Sequence, residues 1–130
     1  MKANERGVSM SVFACGAIMA LLIVAGLVVD GTAQLVARER AHGAAAQVVR
    51  FATDASVPYQ VDGSDGRNVA LTAARTAAAN YPDLNFDITM DGAGTLHITA
   101  LTSVNTVFLR LIGVSSLPAK GVASAAIIQA

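Results

Sequence analysis

The side chains able to do chemistry in this chain are few and far apart. His42 and His97 are its two histidines. The first falls on the polar side of a helical stretch and the second on the polar side of a strand. They read as solvated surface groups, because a metal pair would need carboxylates or further imidazoles at ligand spacing. Ser115-Ser116 lacks a G-x-S-x-G context and a nearby histidine with a partner acid, so it reads as a turn, not as an activated nucleophile. Asp62, Asp65 and Asp91 stand beside glycines, and the run Asp62-Gly63-Ser64-Asp65-Gly66 is of the kind found in calcium loops. It lacks the ligand spacing and the closing glutamate of such a loop. Cys15 is the single cysteine, placed inside an apolar run where it acts as a small packing residue. No set of acid, base and nucleophile converges, so the expectation is a protein that is not an enzyme, with no cofactor and no metal site.

The element that dominates the chain is the stretch Val8 to Val29, VSMSVFACGAIMALLIVAGLVV, which has no charged residue. As a helix it would cover about 30 Å, the thickness of the hydrocarbon core. Lys2 and Arg6 precede it and Asp30 follows. The positive-inside bias therefore puts the N-terminus in the cytoplasm and the rest of the chain outside the cytoplasmic membrane, as a single-pass protein. Gly16 and Ala20 form a small-xxx-small pair that lets another helix approach closely. The rival reading is a cleaved secretory signal, with Gly31-Thr32-Ala33 ahead of a cut before Gln34. The apolar run exceeds the usual signal-peptide core, and the helical pattern continues past that cut.

The remainder predicts an α+β fold. Residues Gln34 to Ala52 read as helix, with Ala37, Ala41, Ala44, Val48, Phe51 and Ala52 in one wedge that should pack on the domain or a partner. If Gly31 does not break it, one helix of roughly 65 Å joins the membrane run to this stretch. Thr53 to Asn68 reads as an irregular loop, and Asn68 as the cap of a short helix ending at Pro82. Phe86, Ile88 and Met90, then Leu96, Ile98 and Ala100, alternate with polar residues around Asp91-Gly92-Ala93-Gly94, which predicts a β-hairpin. Val107, Phe108, Leu111 and Ile112 read as one or two helical turns belonging to the core, and Val122 to Ile128 as a last strand. The organisation expected is a basic leader over 1–7, a transmembrane helix over 8–29, its extracytoplasmic continuation over 30–52, and a small domain over 53–130 with an antiparallel sheet of about three strands.

Composition narrows the function. With 130 residues, and part of them in lipid, there is no room for a deep walled pocket plus a scaffold. Nine basic and nine acidic side chains, with no basic block, argue against nucleic acid as a partner.

A short basic leader ending in Arg6-Gly7, an apolar helix beginning at once, then Leu27-Val28-Val29-Asp30-Gly31 and an amphipathic Ala/Arg/Gln stretch form a recognisable series. The chain resembles TadE/TadG-like membrane proteins of actinobacterial type, from tight-adherence (Flp-type) pilus assembly. The ending, Thr106-Val107-Phe108-Leu109 through Leu111-Ile112-Gly113-Val114, is similar to the C-terminal part of that family. The resemblance implies a pilin-like, pseudopilin-like architecture with a protruding helix and a small head. It implies other pilus-assembly or pseudopilin subunits as partners alongside membrane lipid, and a prepilin peptidase cutting at Gly7-Val8. The fifth residue after that cut is Val12, where pilins carry glutamate, so the resemblance implies a minor or assembly component more readily than the main subunit. The alternative, from another class, is an exported or tethered small ligand-binding domain whose N-terminal segment is only a signal peptide.

Overall fold

The computed structural model describes residues 2–127, with side chains from Gly7 onward. Helix α1 (Lys2–Val61) runs unbroken for 60 residues, about 90 Å at the α-helical rise. Gly31 lies inside it, with open space where a Cβ would stand. The expected helix end at Ala52 and loop from Thr53 are corrected. Pro58 falls near the last turn, where its missing N–H removes one bond without stopping the helix. The hydroxyls of Thr53 and Ser56 donate back to the carbonyls of Val49 and Thr53, and Ala52 and Ser56 are fully buried against the head. The helix stops at Gly63, whose φ is +74°. There the N–H of Gly63 donates to the Gln60 carbonyl and that of Ser64 to the Tyr59 carbonyl, satisfying carbonyls that an ending helix would orphan.

Helix α2 (Arg67–Ala78) is capped at Gly66, not at Asn68 as expected, and buries Ala70, Ala74 and Ala77. Gly66 lets the two helices close up, since a Cβ there would meet the Ser56 Cβ at 3.1 Å. Strands β1 (Asn85–Met90), β2 (Thr95–Asn105) and β3 (Ser116–Ala126) follow and form an antiparallel meander in the order β1-β2-β3. Pairs such as Ile88 with Ile98 and Ile98 with Ala123 fix the register. β3 begins six positions before the expected Val122 because Leu117, Ala119 and Gly121 already alternate inward. Ile128, the last residue of the expected strand, lies outside the described residues.

The result is two layers, with α1 lying over β2 and β3 and α2 over β1. Leu96, Ile98, Ile127 and Val48 are fully buried among many alanines. Small side chains let the backbones approach closely. At Gly121 a Cβ would collide with the backbone nitrogen of His42, so β3 touches the α1 backbone directly. The segment between β2 and β3, which includes a 3₁₀ turn at Leu109–Ile112, is not core as expected. Leu111 is 84% exposed and Ile112 74%.

Candidate membrane segment and the loop docked on it

The N-terminal part of α1 stands clear of the head. In its most apolar 18-residue window only 6% is buried, whereas a core helix of a soluble domain would be mostly covered. The helix is long and apolar enough to cross a membrane. Its second half is its opposite. Ala41, Ala44, Ala45, Val48, Val49 and Ala52 are buried, so one rigid rod carries an uncovered apolar end and a buried end.

The residues singled out from sequence distribute along this rod. Gly7, Val8, Gly16 and Ala20 are all exposed within α1, and no Cβ at Gly7 or Gly16 would meet anything. The side chains of Lys2 and Arg6 lie outside the described ones. Ala37 is half-buried, while Ala41, Ala44 and Val48 face the sheet or α2. Phe51 departs from the wedge: it is 52% exposed and lines a shallow groove with Ala55, Val69, Thr72 and Ala73. The ring is too bulky for a helix contact made through alanines, and Val49 takes the inward place instead.

Both histidines are exposed, as the sequence suggested, and each has a polar partner. His42 Nδ1 accepts the Val122 N–H at 3.3 Å, which covers part of the β3 edge. His97 Nε2 lies 3.1 Å from Asp91 Oδ2. Asp91 organises the hairpin turn, since its Oδ1 also accepts the N–H groups of Ala93 and Thr95. The Thr95 N–H first, then His97, hold its carboxyl below the usual carboxylate range. Asp65 accepts the Arg67 N–H at the start of α2. Among the described residues no group of three or more His, Cys, Asp or Glu could hold a metal ion.

The feature that sequence reading missed stands at the end of the apolar run. Asp30 is only 2% exposed. Its two carboxylate oxygens accept three consecutive backbone N–H groups, from Val107 at 2.9 Å, Phe108 at 3.1 Å and Leu109 at 2.7 Å. Such a concavity of successive N–H groups is an anion site, here filled by the chain's own carboxylate. The Val107 N–H foremost, with those of Leu109 and Phe108, holds the Asp30 carboxyl below its ordinary range against the opposing effect of burial. Below Asp30, Phe108 packs on Gly26, where a Cβ would come within 2.6 Å of the Phe108 Cβ. The loop therefore folds back along α1. With Met19, Leu22, Ile23 and Leu27 it forms an almost wholly apolar groove of about 360 Å³. The signals in the sequence were an aspartate placed directly after the apolar run and a V-F-L-R-L-I-G-V segment with more apolar surface than a small head needs.

Residues 7–55 match the family model described as "Putative Flp pilus-assembly TadE/G-like". The matched segment lies wholly within α1 and takes in both its uncovered and its buried parts; the sheet, α2 and the ending from Thr106 to Val114 lie outside it. Neither the curated proteins nor the solved structures give a match.

Proposed function

We propose, from the premise that residues 7–55 are a TadE/G-like pilus-assembly segment, that the chain is a non-enzymatic assembly component of a tight-adherence type IV pilus or related secretion machine. It is a minor, pseudopilin-like subunit held in the cytoplasmic membrane by residues 8–29, with its N-terminus in the cytoplasm and its head outside. The observation that carries this reading is the single unbroken helix α1, bare over its apolar end and buried against a small α+β head over the other. A rod of that kind presents its bare half to lipid and to neighbouring helices. Gly16 and Ala20 supply the place of closest helix approach.

Processing at Gly7-Val8 by a prepilin peptidase would leave every contact of the head in place, because the docked loop reaches along α1 only as far as Met19. The rival cut after Ala33 would remove Asp30 and leave the N–H groups of Val107, Phe108 and Leu109 without their acceptor. It would also make Gln34, whose side-chain amide donates to the Pro118 carbonyl, the first residue of the remaining helix, where helix ends fray.

Intact mass and N-terminal sequencing of the protein recovered from membrane and medium fractions, in a host with its own processing enzymes, test the proposal. A membrane-bound chain starting at Val8 is the expected result. A chain starting near Gln34 in the medium would overturn it and favour the exported binding domain.

A further inference from the structure

We propose that the loop from Val107 to Val114 is a second membrane-contacting element, which dips into the head-side leaflet beside α1 and seats acyl chains in the groove between them. This rests on the reading of residues 8–29 as a membrane span. Three observations carry it, and each has a different physical basis.

The first is depth. The loop packs on Gly26 and shares a groove with Leu22 and Ile23. These residues lie about 5–10 Å down the helix from Val29, well inside a leaflet of about 15 Å. If residues 8–29 cross the bilayer, the loop has nowhere else to be. Its surface continues the lipid-facing surface of the helix.

The second is side-chain chemistry. Val107, Leu111 and Ile112 are largely exposed on a head that otherwise buries its Leu96, Ile98 and Ile127 completely. In water this is a costly patch; in lipid it is not. Arg110 stands among them, exposed, on a stem long enough to carry its guanidinium back to the headgroups.

The third is the backbone. A non-helical segment at membrane depth must satisfy its polar groups internally, and most N–H groups of this one have an acceptor within the chain. Asp30 takes the N–H groups of residues 107–109. The N–H groups of Leu111, Gly113 and Val114 donate to Phe108, Arg110 and Leu109, and that of Thr106 to Ser115. The Thr106 hydroxyl donates to the Val114 carbonyl. Gly113, at φ +91°, makes the return possible.

The test uses the full chain in phosphatidylcholine liposomes, with Cys15→Ala as background. An environment-sensitive fluorophore is placed in turn at Leu22→Cys within the span, Leu111→Cys in the loop, and Ser64→Cys at the far end of the head. Quenching by 5-doxyl lipid is compared with quenching by aqueous iodide, and Ile112→Cys repeats the loop measurement at a neighbouring site. The expected result is lipid quenching at Leu22 and at both loop positions, with iodide quenching at Ser64 alone. Lipid quenching at Leu22 with iodide quenching in the loop would overturn the loop proposal and leave the anchor standing. Iodide quenching at Leu22 would remove the anchor itself. Loop labels shielded from both quenchers would overturn the proposal in favour of contact with a second copy of the chain.

Discussion

Asp30 couples the head to the apolar end of α1 through three hydrogen bonds to an ionised group, the stronger class of such bonds. Asp30→Ala should release the loop while leaving α1 intact. The amides of residues 107–109 are expected to exchange with solvent at least about tenfold faster, read by hydrogen exchange in detergent; unchanged exchange would show that the carboxylate is incidental. Asp91 gives a second residue-scale prediction, in pH. Its carboxyl is held below the ordinary carboxylate value in the folded head, so the unfolded chain takes up that proton first as pH falls. The stabilisation is complete above that value and is lost as pH drops through the lower folded pKa. Acid unfolding of the head should therefore steepen below about pH 4 in the parent. The steepening should be weaker in Asp91→Asn, which keeps an acceptor for Ala93 and Thr95 but has no charge to lose. Equal acid limbs would refute the assignment.

At the scale of elements, one chemical change should have opposite signs at two glycines. Gly31→Ala adds a methyl into open space within a continuous helix, so it should stabilise by up to about 1 kcal/mol. Gly121→Ala puts its methyl into the α1 backbone at His42 and forces β3 and the helix apart, so it should destabilise the head by about 1–3 kcal/mol. Chemical denaturation followed by circular dichroism measures both, and a neutral Gly121→Ala would mean the strand does not sit against the helix. These two positions also show what was legible in the sequence. Periodicity announced the long helix, the hairpin around Asp91 and the count of strands, because each repeats a local pattern. It missed the helix end because Pro58 breaks a helix only where the lost bond is not replaced by tertiary burial, and Ser56 is buried against α2. It placed Val107 to Ile112 in the core because an apolar cluster has the same pattern whether it faces protein or lipid. The close approach at Gly121 and the seat of Asp30 depend on residues some eighty positions away, and no local pattern records such distances.

Over the whole molecule, the rod divides into parts whose stability has different sources. The apolar end of α1 makes almost no contact with the head above Gly26 other than through the loop, so within a bilayer or micelle its helicity is sustained by lipid and by its own backbone bonds. The head depends on a core that is mostly alanine, with Leu96, Ile98, Ile127 and Val48 supplying the large, fully buried side chains. A core with so few large groups has little redundancy, and each of these contributes about 1.5–3 kcal/mol by burial alone. Ile98 sits at the centre of the sheet, paired with Ile88 on one side and Ala123 on the other. Ile98→Ala should therefore cost about 2–5 kcal/mol, a large share of what a small domain has. The expected outcome in detergent is a thermal transition shifted down in which the strand signal is lost while the helical signal of the membrane segment persists past it. Loss of all helicity in one step, at the same temperature as the sheet, would mean that α1 is held as a helix by the head along its whole length, and that the bare half does not behave as an independent span.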